Sequence, residues 1–499
     1  MNASLMILEV SVLILGLLLL LLDLWTAPDR KPLLGYGAAA ALVVALCYSF
    51  RLDGATEQFA FGQSYVLDGL AVFFKRFFLV AGIIVLILAT EFSDRIQAGI
   101  SEYYSLIVFA LAGMLFAASA NDFTMLFVSI ELITITFYVL TSFQRSRLVS
   151  LEAGVKYLIL GGMASAFLVF GIALVYGTTG TMNFAELAKI SSATTAKPIF
   201  LLGLLLVFFG LGFKIAAFPL QIWAPDVYQG APAPTTAFLA VGSKAAGFVL
   251  LLRLLFAAVP EVTAQWVKLL IATSAITILY GNLCAIPQRS LKRLLGYSSI
   301  AHAGYLLLGV AAMAAAGKDV TSGGSAILYY LGGYLFTVLA AFAVICVALR
   351  QVEGDDISAL AGLGQRSPLL AAMMTLAMVS LAGVPPLAGF FGKFLLIKSA
   401  VEQGPAQPAF YWLVAIALIG VVISLWYYFG VIRAIYWSKE PADISAIAVS
   451  LPIKMVLLVC AAGMFFLGLY PNPAVKVASR ATQSLLPPSS TPTTASTPR

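Results

Sequence analysis

Of 499 residues, 61% are apolar and only 10% charged, and the mean hydropathy is +1.00, far from the roughly half-apolar, quarter-charged make-up of a soluble domain. No soluble domain of useful size fits between the apolar runs, which excludes catalysis that needs a large extramembrane fold such as a nucleotide-binding one. The formal net charge of +7 is dispersed over short loops, where Lys and Arg set membrane orientation, so it does not mark a nucleic-acid surface.

At about 20 residues per crossing, the apolar runs predict an all-α polytopic membrane protein with about 14 transmembrane helices. The runs lie near 4–25, 33–50, 68–90, 103–120, 123–142, 151–176 and 198–222. They continue near 233–257, 266–286, 295–315, 325–350, 368–400, 409–437 and 452–470. The first begins without a basic n-region and ends in Asp23 and Trp25, which reads as a membrane helix rather than a cleaved signal. Loops after odd-numbered spans carry Arg30 and Lys31, then Arg145 and Arg147, then Arg289, Lys292 and Arg293. The positive-inside rule makes these loops cytoplasmic and both termini external, although Lys476, Arg480 and Arg499 weigh the other way. The last residues, PPSSTPTTASTPR, read as a disordered tail. Cys47, Cys284, Cys346 and Cys460 sit far apart in apolar runs; without metal-ligand or CxxC spacing, they are expected to be buried packing residues.

Two spans are interrupted. In GFKIAAFPLQIWAPDVYQGAPAP, Pro219 and Pro225 follow Lys214; in SLAGVPPLAGFFGK, Pro385 and Pro386 precede Lys393. Proline removes a backbone donor and clashes with the preceding turn. Inside a membrane, the freed carbonyls must find partners in neighbouring protein or in a wet cavity. Gly/Pro-interrupted helices in corresponding halves point to a transporter built from inverted repeats.

Lysines in four apolar stretches carry the chemistry: GVKYLILGG (Lys156), GLGFKIAAF (Lys214), VGSKAAGFV (Lys244) and FFGKFLLIK (Lys393). A lysine at mid-membrane costs about 2.5–3.5 kcal/mol on insertion scales and turns toward a bundle interior or a wet cavity. Lys214 and Lys244 lie about ten residues, hence about 15 Å, into their spans, too deep for easy snorkelling. Lys156 lies one turn after Glu152 and reads equally as a local i,i+4 ion pair. Glu131, in FVSIELITITFY, is the acid deep within a span; its simplest partner is Lys214, across two helices. A carboxylate that approaches or leaves a buried lysine changes how tightly the lysine holds its proton, which is a pump element. A static ion pair that fixes packing is the alternative. His302, the only histidine, stands in LLGYSSIAHAGYLLLG and reads as a relay group or as a satisfied core residue.

On these residues the chain resembles the antiporter-like membrane subunits of respiratory complex I (NADH-quinone oxidoreductase), most closely the subunit N branch, to which mitochondrial subunit 2 corresponds. The resemblance is carried by FKIAAFPLQIWAPDVYQGAPAPTTAFLAVGSKAAGF, LKRLLGYSSIAHAGYLLLG and LAGVPPLAGFFGKF. It covers all but the last dozen or so residues. It implies N-terminal helices over 1–102, two inverted five-helix half-channels over 103–258 and 259–440, a C-terminal helix over 441–485 and a tail over 486–499. It further implies an ion pair of Glu131 with Lys214, a connecting Lys244, and a second half served by His302 and Lys393. Lys156 matches a family lysine in the sixth span. One departure stands out: Gln221 occupies a position usually held by histidine, and an amide cannot relay a proton near neutral pH.

The resemblance also implies a non-redox subunit of the bacterial inner membrane that works beside other membrane-arm subunits. NADH, FMN, iron–sulfur clusters and quinone belong to partner subunits, and no cofactor is expected in this chain. Two other readings stay open: a free-standing cation/proton antiporter of the same fold, and a scaffold that passes no protons.

Overall fold

A computed structural model describes residues 3–54, 56–96, 99–190, 194, 196–317, 321–350, 354–437 and 445–485; the expected tail over 486–499 lies outside them. Among these residues, thirteen helices are long and apolar enough to cross a membrane. A fourteenth crossing is made in two pieces, so the expected number of spans is met.

The first six crossings are α1 (Ile7–Asp23), α2 (Lys31–Ser49), α3 (Gly69–Glu91), α4 (Ile100–Ala118), α5 (Phe123–Thr141) and α6 (Leu148–Thr179). Between α2 and α3 the chain makes a hairpin that the hydropathy pattern does not announce: β1 (Gln58–Ala60) pairs antiparallel with β2 (Tyr65–Leu67), Phe59 opposite Val66. Short polar residues start several helices by accepting from otherwise unpartnered N–H groups. Asp68 accepts from Ala71 N at 2.7 Å at the head of α3, and Asp122 from Met125 N at 2.6 Å at the head of α5.

The seventh crossing is the first broken one. Helix α7 (Pro198–Ile215) stops at Ala216, which takes a left-handed φ of 57°, and the chain becomes helical again in α8 (Ala224–Gly230). Pro219 lies in the gap, while Pro225 sits in the first turn of α8, where its missing N–H costs nothing. Next come α9 (Ala233–Ala258), α10 (Val267–Ala285), α11 (Leu291–Ala315) and α12 (Thr321–Ala348). The second broken crossing joins α13 (Pro368–Ala382) to α14 (Ala388–Gln403) across Pro385 and Pro386. Phe218–Pro219 and Pro385–Pro386 are both cis. The crossings α15 (Ala409–Trp437) and α16 (Leu451–Leu469) follow. In the C-terminal region expected over 441–485, of which 441–444 lie outside the described residues, Tyr470 separates α16 from α17 (Pro471–Gln483), a polar helix packed on α3 and α12.

Lipid tails are as apolar as leucine, so burial between helices follows shape and polar contacts rather than hydrophobicity. Here α9 is wholly buried, while α1, α2 and α15 are each only 28% buried over their most apolar window. Helix α9 is thus the axle, and those three are the most exposed crossings. Polar side chains knit neighbouring crossings together. Ser274 Oγ donates to Gly304 O at 2.8 Å between α10 and α11, and Ser150 Oγ to Thr141 O at 2.8 Å between α6 and α5.

Candidate functional site

Lys214, Lys244, His302 and Lys393 are all buried, at 3–5% exposure, and each comes from a different crossing around the axle. Lys214 is the penultimate residue of α7, at the edge of the first break. Gly247 of α9 lets that edge approach: a Cβ there would lie 3.2 Å from Lys214 Cβ and 2.7 Å from Ile215 Cγ2. Lys244 is one turn before Gly247 on the same helix.

Around Lys214 the surroundings are aromatic. Its Nζ lies over the Tyr157 ring, 5.9 Å from the centroid. Tyr157 in turn stacks on Trp223 at 4.8 Å and meets Tyr138 edge-on at 5.2 Å. The indole Nε1–H of Trp223 donates at 2.9 Å to Phe213 O, a carbonyl that also accepts from Ala216 N at 3.1 Å. Among the described residues, Lys214 Nζ has no hydrogen-bond partner. The direct Glu131–Lys214 ion pair expected from the sequence is therefore not formed: the half-buried Glu131 accepts from Ser165 Oγ at 2.5 Å.

Lys244 is committed. Its Nζ donates to Ser299 O at 2.5 Å and to Ser299 Oγ, and lies 5.2 Å from the Tyr334 ring centroid. Ser299 Oγ also meets the hydroxyls of Tyr228 at 2.8 Å and Tyr334 at 3.1 Å. Tyr334 packs on the His302 ring at 5.1 Å between centroids. His302 Nδ1 hydrogen-bonds to the Tyr330 hydroxyl and Nε2 to the Tyr428 hydroxyl at 3.1 Å; that hydroxyl continues to Ser298 Oγ at 2.5 Å. On the far side Lys393 lies 5.1 Å from the Tyr305 ring centroid. Its Nζ donates to Leu381 O at 2.8 Å and Ala382 O at 3.1 Å, the carbonyls freed at the end of α13. Gly383 turns the chain there at φ 87°, with Lys393 Cδ 3.0 Å from where a Cβ would stand.

Lys156 stands apart from this line. It bridges Glu152 at 2.7 Å and Asp226 at 2.8 Å with its side chain 43% exposed, and Asp226 also holds Arg293. This is a network of half-exposed charges near the head of α6. Gln221 is buried, and its Oε1 has no hydrogen-bond partner among the described residues.

Sequence reasoning missed a second set of buried charges. Lys75 and Glu9 form an ion pair at 2.7 Å with both side chains fully buried. The Tyr65 hydroxyl links them, at 2.6 Å from Lys75 Nζ and 3.0 Å from Glu9 Oε1. Lys75 thus joins the lysines of the apolar stretches, and Glu131 is not the only acid inside a span. Lys75 in GLAVFFKRFF was legible by the same rule that found the others. Arg253 in α9 is buried as well: it is bidentate to Asp68 at 2.8 and 3.0 Å and donates to Ala118 O. Lys292, expected in a loop, is buried in α11 and donates to Ala231 O at 2.9 Å. Cys47, expected to be buried, is exposed, whereas Cys346 and Cys460 are buried. Among the described residues no group of three or more His, Cys, Asp or Glu could hold a metal ion.

The sequence and fold have relatives among known proteins. A family described as NADH:quinone oxidoreductase/Mrp antiporter, transmembrane, matches residues 120–424. NADH-quinone oxidoreductase subunit N of Heliobacterium modesticaldum is 40% identical over 97% of this chain and 100% of its own length. The subunit N of Desulforamulus reducens is 38% identical over 97% and 99% respectively. A chain of respiratory complex I from Thermus thermophilus with bound aureothin superimposes with a TM-score of 0.77 at 31% identity, over 95% of this chain and 100% of that one. Two full-length relatives, a family match over more than half the chain and a shared fold agree: the chain belongs to the NADH-quinone oxidoreductase subunit N family.

Proposed function

We propose that this chain is a proton-translocating membrane-arm subunit of a NADH-quinone oxidoreductase in the bacterial inner membrane. Electron transfer from NADH to quinone takes place in partner subunits, where FMN and iron–sulfur clusters reside, and this non-redox chain converts the released energy into proton movement. Residues 103–258 and 259–440 act as two half-channels related by inversion, each carrying one broken crossing. The reading is supported by one observation above others: two buried hydrogen-bonded clusters, Lys244–Ser299 with the Tyr228 and Tyr334 hydroxyls and His302 with the Tyr330 and Tyr428 hydroxyls, meet where the Tyr334 ring packs on His302, with Lys214 and Lys393 at the two breaks.

Within this reading Lys214 is the moving part. An ammonium with no fixed acceptor can turn toward Glu131 or toward Lys244 with little lost in hydrogen bonds, whereas a committed one must first break them. Approach to Glu131 favours the charged amine; withdrawal favours release of its proton. Lys244 hands the charge on through Ser299 and Tyr334 to His302, and Lys393 receives it at the second break. Lys156 feeds the route from its exposed ion-pair network.

The free-standing antiporter is the second reading. Its weak point is chemical, since a hard cation needs several oxygen ligands and the buried line carries three amines against Glu131. The experiment is purification of the chain from its membrane under mild detergent. Co-purification of FMN- and iron–sulfur-bearing partners, with NADH-driven proton uptake by the reconstituted assembly, is the expected result. Sodium-dependent ΔpH changes by the chain alone would overturn it.

A further inference from the structure

The inner ends of α11 and α15 enclose a cavity of about 380 Å³ that lies apart from the lysine line. Its wall includes Arg289, Asp356, Trp426, Arg433 and Trp437. A second hollow of about 180 Å³ continues it over Trp426, Phe429, Gly430 and Arg433. Positions 426, 430, 433 and 437 recur at helical spacing, so they form one stripe on α15. Trp426 and Trp437 are each 71% exposed. Between them, a Cβ added at Gly430 would meet nothing within 4 Å. The stripe is therefore a notch with an indole at each end and a guanidinium in the middle.

Depth and side follow from length and charge. Helix α15 has 29 residues, about 43 Å of helix, against a hydrocarbon core of about 30 Å. Its last two turns thus reach headgroup level. Arg289 lies in a loop that the positive-inside rule places in the cytoplasm, and the notch opens sideways onto the lipid-facing surface of α15. Among the described residues neither Arg289 nor Arg433 forms an ion pair. Asp356 is the one carboxylate in the wall. Hydrogen bonds from Ser358, including its N–H at 2.8 Å, hold it below the usual carboxylate range, with Arg289 adding to the effect. Asp356 therefore balances Arg289, and Arg433 is left uncompensated.

We propose that this notch is a binding site for an anionic phospholipid, with Arg433 and Arg289 taking the phosphate oxygens and Trp426 and Trp437 flanking the glycerol and upper acyl carbons. Guanidinium groups suit phosphate oxygens because their paired N–H groups match the spacing. Indoles favour the membrane–water interface, and basic pockets between helices on the cytoplasmic side hold acidic headgroups. The site is independent of the proton route, since no wall residue belongs to the lysine line.

The test uses the assembled complex in phosphatidylcholine nanodiscs doped with phosphatidylglycerol, with retained lipid counted by native mass spectrometry. The wild type is expected to hold phosphatidylglycerol in preference to phosphatidylcholine. Arg433→Gln and Arg289→Gln should each weaken retention about fivefold, the worth of one basic residue near a membrane surface. Gly430→Leu should abolish retention by filling the notch without changing charge. All three residues are at a surface without described ion pairs, so folding is expected to survive. Equal retention in wild type and all variants would overturn the site and would mean that a neighbouring subunit covers this face. Full displacement of the lipid by inorganic phosphate would overturn the lipid assignment and leave a soluble-anion site.

Discussion

At the first broken crossing Gly212 O accepts from Ala217 N, Phe213 O accepts from both Ala216 N and the Trp223 indole, and the adjacent Lys214 has no fixed acceptor. At the second, no indole is at hand, and Lys393 itself caps the carbonyls of Leu381 and Ala382. Both crossings are interrupted by proline and accompanied by lysine, yet the two amines are left in different conditions. One is free to change partner; the other is tied to the backbone that the break exposes. The first break closes on its own backbone N–H groups and an indole, whereas the second leaves two carbonyls to the lysine. A lysine beside a broken helix becomes a moving charge only where something else satisfies the carbonyls.

Arg253 sets the upper end of the scale on which these two can be compared. It is fully buried, bidentate to Asp68 and bonded to Ala118 O. Arg253→Ala leaves Asp68 buried and unpaired, and should cost about 3–5 kcal/mol, read as a fall in unfolding temperature in detergent. Arg253→Met combined with Asp68→Asn should recover much of that loss. Lys393→Met comes next. It strips two carbonyls of a charged donor and should destabilise by about 2–3 kcal/mol. Lys214→Met removes no hydrogen bond, so its stability should stay within about 1 kcal/mol of wild type while NADH-driven uptake falls. Equal destabilisation by the two methionine variants would break the comparison.

Trp223→Phe sharpens it further. Phe213 O keeps its bond from Ala216 N, and its second lone pair then competes for the Lys214 amine. A loss of about 1 kcal/mol in stability should be accompanied by slowed proton uptake. The smallest effect is expected from Gln221→His, which changes stability by less than about 0.5 kcal/mol. Its readout is the pH profile of uptake, which should broaden if an imidazole there joins the route.

Much of this was legible in the sequence. Hydropathy located the crossings because each needs a run of apolar residues, and the prolines marked both breaks. The buried lysines stood out because charge is costly in lipid. What stayed hidden depends on which side chain reaches which atom. No pattern says that the Trp223 indole reaches Phe213 O, or that Glu131 accepts from Ser165 instead of pairing with Lys214. Tyr228, Tyr330, Tyr334 and Tyr428 were invisible as a network, because an aromatic residue in an apolar run is ordinary packing until its hydroxyl finds a partner. Lys75 was overlooked for a different reason: Glu9 lies close to the start of the first run, where a charge is readily assigned to the interface. The hairpin at 58–67 is too short for its alternation to register.

The central claim is that Lys214 and Glu131 act together by changing partners rather than by holding one fixed pair. Its most direct test is a double-mutant cycle on proton uptake per NADH oxidised, in the assembled and reconstituted complex. Lys214→Ala and Glu131→Ala should each lower uptake, and the double variant should fall no further than the worse single, because both act in one step. Unchanged uptake in both single variants would contradict the account.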